Sequence, residues 1–173
     1  FAKTRTAEEI ARYATTMKKV VEAGVHHPEL LTTNSGEVVY TDDGITLVLM
    51  RFVEGKTFFE HDHAPDAEER KAVLEQAAKV NSIDYKPTYL FDSWAIPNIR
   101  AMFDKVKQFV EPDDLKLVEQ AMARYEAIPV DDLPHSFVHG DFTKTNVLKG
   151  NDGKVYVLDF SVANWYPRIQ ELA

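Results

Sequence analysis

The segment His139-Gly-Asp-Phe-Thr-Lys-Thr-Asn146 is the most informative part of this chain, and Val155-Tyr-Val-Leu-Asp-Phe160 follows it closely. The first segment has the form H-x-D-x4-N, for which chance predicts only about 0.02 matches in a chain of this composition. An apolar run leads into His139, and Asp159 stands at the end of the next apolar run, beside an aromatic residue. The sequence therefore predicts that Asp141 and Asn146 lie on one loop and that Asp159 lies on the adjacent hairpin.

These residue types suit the transfer of a phosphoryl group. Such a transfer needs a carboxylate that orients the acceptor hydroxyl and accepts its proton, and oxygen ligands that hold Mg²⁺ against the phosphates. Asp141 is the candidate base, and Asn146 and Asp159 are the candidate metal ligands. Hard oxygen ligands favour Mg²⁺ over a transition metal. A network of structural turns is the alternative interpretation of the same residues.

The first third of the chain is predicted to hold one helix and one hairpin. Apolar residues recur at helical spacing from about Ala7 to Ala23, and Thr6 precedes them as the start of a capping box. β-branched and apolar runs at residues 37–40 and 45–52 flank Asp42-Asp43-Gly44, which is typical of a hairpin turn.

The rest of the chain is predicted to be mostly helical, with a second hairpin near its end. Capping residues, apolar periodicity and prolines mark the helix boundaries. The predicted helices cover residues 67–81, 98–110 and 112–127. The predicted strands cover residues 136–139, 146–149 and 154–160, and the last two are joined by Gly150-Asn151-Asp152-Gly153.

Composition argues against several classes of protein. The 173 residues include no cysteine, which removes disulfides, thiol nucleophiles and thiolate metal sites and favours a cytoplasmic location. No apolar run approaches the roughly 18 residues of a membrane span, so we expect no membrane partner. With 20 basic and 28 acidic residues the net charge is −8, which argues against a nucleic-acid partner and weakly favours a cationic substrate.

The sequence resembles the aminoglycoside phosphotransferase/choline kinase family, the small-molecule relatives of the protein kinases. The catalytic-loop pattern H-G-D-x4-N of that family is matched at residues 139–146, and its metal motif at Asp159-Phe160-Ser161. Two further segments resemble parts of the family. Residues 47–55 resemble its last N-lobe strand and hinge, and residues 166–173 resemble its segment ending in Asp-Leu-Ala, with Glu171 in place of the aspartate.

The resemblance implies an α+β, protein-kinase-like fold with two lobes. Residues 1–54 would form a partial, truncated N-lobe with the hinge, made of a few antiparallel strands and one helix. Residues 55–173 would form the core of a mostly helical C-lobe with a catalytic hairpin. Family members are typically much longer, so we expect this chain to be a fragment with an incomplete N-lobe sheet. The exposed edge of such a sheet would favour pairing with a second copy, a homo-oligomer.

The resemblance also implies roles for individual residues, with ATP and Mg²⁺ as cofactors. Asp141 would be the catalytic base on a loop braced by His139, while Asn146 and Asp159 would bind Mg²⁺. Lys3 would contact the phosphates. The hinge would bind adenine through the backbone of Arg51 and Val53, with Met50 and Phe52 lining the pocket. The implied reaction moves the γ-phosphate of ATP to a hydroxyl of a small metabolite, such as an aminoglycoside, choline, homoserine or a sugar.

Several positions depart from the family pattern. No glycine-rich loop precedes Lys3, and residues 13–16 replace the glutamate expected in the middle of the first helix, where Glu9 is better placed as a cap. These departures favour a second hypothesis, a nucleotide-binding pseudokinase with impaired catalysis. A protein kinase is the third hypothesis. Gly140 stands where protein kinases favour arginine and no Ala-Pro-Glu segment follows Asp159, which argues against it.

Other polar clusters have plainer interpretations. His61-Asp62-His63 has the spacing of a metal site but lacks a third, distant ligand, so a solvated loop is favoured. His26-His27 is expected in the loop that leaves the first helix. Lys144 fits a contact to a transferred phosphate and a surface lysine equally well. The acidic pairs at residues 113–114 and 131–132 fit helix and loop caps better than a site for a cationic substrate.

Overall fold

The computed structural model of the protein describes residues 6–172. The expectations for Phe1 to Arg5, including Lys3 as a phosphate ligand, lie outside the described residues. The described part is a mixture of α-helices, short 3₁₀ turns and antiparallel strands. No helix between residues 6 and 172 is long and apolar enough to cross a bilayer.

Four α-helices occupy Ala7–Glu22 (α1), Ala67–Asn81 (α2), Ile99–Val106 (α3) and Pro112–Glu126 (α4) in the described residues. A capping box fixes the start of α1. The Thr6 hydroxyl accepts the Glu9 backbone N–H at 3.1 Å, and the Glu9 carboxylate accepts the Thr6 backbone N–H at 2.8 Å. Asp66 and Glu69 repeat this arrangement at the start of α2. The sequence-based boundaries of α1, α2 and α4 are confirmed within one residue.

The helix expected over residues 98–110 is shorter than predicted. α3 ends at Val106, and 3₁₀ turns extend it on both sides, at Ile96–Asn98 and Lys107–Phe109. Pro97 lies in the first of these turns and has no N–H to donate. Tightening into 3₁₀ turns is common at helix ends, so the apolar period continues where the α-helix does not.

The N-terminal sheet is built on the first predicted hairpin. β2 (Val39–Asp42) and β3 (Ile45–Met50) pair antiparallel through a two-residue turn. The turn residues, Asp43 and Gly44, have φ of 44° and 74°, as a type I′ hairpin turn requires. β1 (Leu30–Leu31) pairs with the far end of β3, giving the order β1-β3-β2 among the described residues. Association of this sheet with a second copy stays a prediction.

The second predicted hairpin belongs to a three-stranded sheet. β6 (Val147–Gly150) pairs with β7 (Val155–Val157) on one side and with β4 (Gly55–Thr57) on the other. β4 is a correction, because the sequence pattern indicated only a break at Glu54-Gly55. A Cβ at residue 55 would lie 2.3 Å from the Lys149 carbonyl oxygen, so this glycine allows two strands to approach closely rather than ending an element.

A two-stranded sheet connects the loops that contain the candidate catalytic residues. β5 (His135–Val138), predicted within one residue, pairs antiparallel with β8 (Asn164–Pro167), which was not predicted. β5 leads directly into His139, and β8 begins a few residues after Asp159. The pairing of these strands therefore brings the entry of one loop close to the exit of the other.

The main hydrophobic core joins α1 to the C-terminal half of the chain. Met17 and Val20 on α1 are fully buried in the same cluster as Val80 on α2. Phe137 and Phe160 complete this cluster with ring centroids 6.3 Å apart. Full burial of side chains of this size contributes about 1.5–3 kcal/mol each, so the core holds α1 firmly against the hairpin that precedes Asp159.

Candidate active site

His139 is the buried centre of the candidate site. Its Nε2 lies 2.7 Å from the Leu158 carbonyl oxygen, which can only accept a hydrogen bond, so Nε2 bears the proton and Nδ1 is an acceptor. The Asp141 backbone N–H donates to that Nδ1 at 3.1 Å. Burial lowers the pKa of His139, which favours the neutral ring that these bonds require. His139 thus links the loop of Asp141 to the residue before Asp159.

Asp141 and Asn146 contact each other across the loop. Asn146 Nδ2 donates to Asp141 Oδ2 at 2.7 Å and to the Asp141 backbone oxygen at 3.0 Å. The Asp141 side chain is exposed, so a substrate hydroxyl can reach its second oxygen. Because its amide nitrogen points at Asp141, Asn146 has its Oδ1 available for a metal ion. This hydrogen bond therefore orients the Asp141 carboxylate and leaves the amide oxygen of Asn146 free for a metal ion.

Asp159 lies beside this loop. The Leu158 backbone N–H donates to the Asn146 carbonyl oxygen at 2.8 Å, which brings the two predicted metal ligands to adjacent positions. Asp159 has a φ of 58°, an uncommon conformation for a residue with a side chain, and its Oδ1 accepts the Ser161 N–H at 3.1 Å. The amide oxygen of Asn146 and the carboxylate of Asp159 are hard donors, and this donor set fits Mg²⁺.

Glu171 and Gly140 shape the start of the catalytic loop. Glu171 Oε2 accepts the His139 backbone N–H at 2.8 Å. Burial raises the pKa of Glu171 to about 7, although the backbone N–H groups of His139 and Gly140 act in the opposite direction. Gly140 has a φ of 85°, and a Cβ there would lie 3.1 Å from the Val162 carbonyl oxygen. Conformation and space therefore both favour glycine at this position.

An open cavity of about 540 Å³ adjoins Asp159. Its volume lies within the range of sites for small molecules and cofactors. Its walls come from α1, from β3 and from the segment after β7, so it lies between the predicted hinge strand and Asp159. The residues that line it include Tyr13, His27, Leu47, Val48, Met50 and Asp159.

The four predicted hinge residues are placed differently around this cavity. Met50 lines it, whereas the Phe52 side chain is 85% exposed and lies outside the lining. The Arg51 backbone N–H donates to the Glu29 carbonyl oxygen at 2.9 Å, and the two side chains form an ion pair at 2.6 Å. Among residues 6–172 no group pairs with the backbone N–H of Val53, which is therefore available to a ligand.

The sequence pattern does not assign two of the cavity residues to the site. His27 lies in the expected loop after α1, yet it is only 8% exposed, and burial lowers its pKa to about 4. Tyr13 projects from α1, and burial together with the nearby Asp159 raises its pKa to about 12. Helical periodicity places Tyr13 on the buried face of α1, but no local signal shows that this face meets Asp159.

A family model described as a phosphotransferase enzyme family matches residues 1–173. Among curated protein sequences, no significant match to this chain is found. The other comparison is with solved structures. Because their sequence identities to this chain are low, their similarity concerns the fold alone.

The fold is similar to those of several small-molecule kinases. The GDP complex of aminoglycoside 2′-phosphotransferase-IIIa gives a TM-score of 0.68 at 18% identity, covering 95% of this chain and 60% of that one. Spectinomycin phosphotransferase APH(9)-Ia, with ADP and spectinomycin, gives 0.67 at 13% identity, with 94% and 56% covered. A choline/ethanolamine kinase family protein from Mesorhizobium loti gives 0.60 at 15% identity, with 94% and 53% covered.

The chain thus spans between 53% and 60% of the length of these three solved structures. Their similarity confirms the expected α+β, protein-kinase-like fold, in which a small antiparallel sheet and one helix precede a region with more helices. Because the family model matches the chain over residues 1–173, the protein belongs to the phosphotransferase enzyme family.

Proposed function

We propose that the protein transfers the γ-phosphoryl group of ATP to a hydroxyl group of a small metabolite. The observation that supports this most directly is the arrangement of Asp141, Asn146 and Asp159 around the buried His139. One exposed carboxylate is oriented by an amide, and two hard oxygen donors lie beside it. This is the set of groups that phosphoryl transfer needs for proton transfer and for charge neutralisation.

In this proposal Asp141 is the base. Asn146 Nδ2 holds one oxygen of the Asp141 carboxylate, and the other oxygen accepts the proton of the substrate hydroxyl. His139 fixes the loop through two hydrogen bonds that occupy both of its ring nitrogens, so we assign it a positioning role rather than a role in proton transfer. Asn146 and Asp159 would hold Mg²⁺, which would neutralise negative charge on the phosphates.

The nucleotide would occupy the cavity beside Asp159. Met50 would contact the base, and the backbone of Val53, with the carbonyl of Arg51, would offer hydrogen bonds at the hinge. Related solved structures contain ADP or GDP, which supports a nucleoside diphosphate moiety as the group recognised. Lys3 would contact the phosphates. A reaction that consumes ATP is consistent with a cytoplasmic location, which we include in the proposal.

The acceptor is proposed as a small hydroxyl-bearing metabolite of the aminoglycoside, choline, homoserine or sugar type. One solved relative has spectinomycin bound, and another is described as a choline/ethanolamine kinase family protein. The net charge of −8 favours an acceptor with an amino group, because an acidic surface attracts cations. A panel of amine-bearing and neutral alcohols, assayed for ADP formation with ATP and Mg²⁺, would identify the class.

The base assignment is tested by Asp141→Asn in the full natural protein. The exchange keeps the size of the side chain and removes the proton acceptor, so kcat should fall by about 10²–10⁴. Asp43→Asn is the matched control, because Asn also tolerates the positive φ of that hairpin turn. A near wild-type rate for Asp141→Asn would show that another group is the base.

A nucleotide-binding protein with impaired catalysis is the second candidate. The observation that favours it is that α1 presents Tyr13 to the cavity, where the family's glutamate is expected. The two candidates predict different results with one sample. Both predict stabilisation by nucleotide, about 2.7 kcal/mol at a concentration 100 times the dissociation constant. Only the first predicts that ADP accumulates when an acceptor is added.

A further inference from the structure

The loop between β4 and α2 brings together three side chains that commonly bind metal ions. His61 and His63 lie on this loop, and Glu69 lies in the first turn of α2. One ligand atom from each residue lies within 4.8 Å of the other two. The sequence pattern favours a solvated loop here because it shows no third ligand. Glu69 offers a third candidate ligand atom, although the capping pattern at the start of α2 accounts for this residue in another way.

The hydrogen bonds of these residues leave ligand atoms available. His63 Nδ1 lies 3.0 Å from the Ala64 carbonyl oxygen, so Nδ1 donates and Nε2 is a free lone pair. His61 Nδ1 is buried and has no hydrogen-bond partner among residues 6–172. A buried ring nitrogen without a partner is costly unless a ligand satisfies it. The Glu69 side chain is only 6% exposed, and its interactions with Lys149 and the Asp66 backbone lower its pKa.

We propose that His61, His63 and Glu69 form a binding site for a divalent transition-metal ion of the Zn²⁺ type. Two imidazoles with one carboxylate are ligands that Zn²⁺ accepts readily, whereas Mg²⁺ prefers oxygen ligands alone. The set differs in chemistry and position from the predicted magnesium ligands, Asn146 and Asp159. The proposal of this site therefore does not rest on the proposed phosphotransferase activity.

Binding requires a small local closure. Zinc bonds of about 2.0–2.2 Å place tetrahedral ligand atoms roughly 3.3 Å apart, which is closer than the 4.8 Å limit here. His61 is half-buried and His63 is exposed, so both rings can adjust on their loop. Water would complete the coordination. The Glu69 oxygen that caps α2 by accepting the Asp66 N–H keeps a second lone pair, so the cap and the metal are compatible.

Lys149 competes directly with the ion. Its ammonium group lies 2.6 Å from Glu69 Oε1, and the lysine side chain is 39% exposed. A bound cation would repel this ammonium group, which can move into solvent. Lys149 is 80 residues from Glu69 in the sequence and reaches it from β6 only in the folded protein. The effect of Lys149 on metal affinity is therefore a specific sign of the proposed site.

A bound ion would stabilise the segment that contacts the loop of Asp141 and Asn146. The residues before His61 are tied to that loop, because the Phe58 N–H donates to the Val147 carbonyl oxygen at 2.9 Å and the Phe59 N–H to the Lys144 carbonyl oxygen at 3.1 Å. The His61 and Phe58 rings lie 5.2 Å apart. An ion at His61 would fix this connection, so we expect a structural site that raises the melting temperature.

The test is a calorimetric titration of zinc-free protein with ZnCl₂. The buffer contains excess Mg²⁺, so that sites made of hard oxygen ligands are already filled. One equivalent should bind. His61→Ala and His63→Ala should each weaken zinc binding by at least about 10–100-fold, because removal of a group that only supports a metal ligand already has an effect of this size. His135→Gln is the matched control, since this histidine lies outside the cluster, and its affinity should be unchanged.

Two further variants distinguish the proposed three-residue site from simple chelation by a flexible His-x-His loop. Lys149→Gln removes the competing cation and should tighten zinc binding, whereas Glu69→Gln should weaken it while keeping a residue that can complete the cap. Zinc affinity that is insensitive to both changes would overturn the proposal, as would the absence of binding by wild-type protein at millimolar zinc. Circular dichroism on each variant excludes loss of the fold as the cause.

Discussion

Glu171 Oε2 accepts the backbone N–H of His139 at 2.8 Å, although the two residues are 32 positions apart. The bond joins the 3₁₀ turn Arg168–Leu172 to the first residue of the H-G-D motif. It holds a buried carboxylate against the loop that presents Asp141. The proposed catalytic geometry therefore depends on an acid that lies outside the motif.

Glu171→Gln should change how stability depends on pH. Burial raises the Glu171 pKa to about 7 from its usual 4.5, so the folded protein holds the proton more tightly than the unfolded chain. The stabilisation that this protonated side chain gives the folded state is fully present below pH 4.5 and is lost as the pH rises through about 7. The free energy of unfolding falls by up to about 3 kcal/mol over this range. Glutamine keeps an acceptor oxygen and has no titration.

The measurement is the free energy of unfolding by urea at pH 5 and at pH 7.5. The wild-type protein should lose more stability between these values than Glu171→Gln does. Glu75→Gln, on the exposed face of α2, provides the control and should follow the wild type. Identical pH dependence in Glu171→Gln and wild type would contradict the prediction.

Gly140→Ala should destabilise the protein more than Gly36→Ala. Both glycines have nearly the same φ, 85° and 84°, so both substitutions incur the left-handed penalty of about 1–2 kcal/mol. Only at residue 140 does the new Cβ meet an obstacle, the Val162 carbonyl oxygen at 3.1 Å, whereas the space at residue 36 is open.

The difference between these two variants therefore isolates the close contact from the backbone strain. Urea denaturation measures it, and the rate of ADP formation reports whether the loop of Asp141 has moved. We expect Gly36→Ala to keep the wild-type rate and Gly140→Ala to lose activity. Equal losses of stability in the two variants would show that the loop adapts without cost.

Asp159→Asn should remove the effect of Mg²⁺ on nucleotide binding. Asparagine tolerates the φ of 58° at this position, so the backbone should stay in place while the negative charge is lost. In wild-type protein, ADP with Mg²⁺ should raise the melting temperature more than ADP alone. In the variant this increment should vanish, while Asp43→Asn should retain it. An increment that persists in Asp159→Asn would exclude Asp159 as a ligand.

Phe137→Ala should be strongly destabilising. The side chain is fully buried, with Phe160 at 6.3 Å and Tyr85 at 6.2 Å between ring centroids. Loss of a buried phenyl ring costs about 3–5 kcal/mol through lost burial and a residual cavity. Phe109→Ala, at a ring that is 79% exposed, should change stability by less than about 0.5 kcal/mol. Chemical denaturation of both variants measures the contrast.

Local signals in the sequence predict the elements that depend on neighbouring residues. The capping boxes at Thr6 and Asp66, the turn at Asp43-Gly44 and the H-x-D-x4-N motif all involve residues within a few positions of one another. Their geometry follows from local hydrogen bonding and allowed φ and ψ, so the structure agrees with the predictions closely. The association of Asp141 with Asn146 belongs to this class, since five residues separate them.

Tertiary structure alone decides the contacts made across long stretches of chain. β4 and β8 pair with β6 and β5, which lie far from them in the sequence, and neither Gly55–Thr57 nor Asn164–Pro167 carries the run of apolar residues that predicts the other strands. The burial of His27 against the cavity and the meeting of Glu69 with His61 and His63 likewise depend on packing. The sequence by itself determined the family and its principal motif, because these rest on local spacing. Which side chains surround that motif was decided by the fold, because burial and long-range pairing select partners that the sequence keeps far apart.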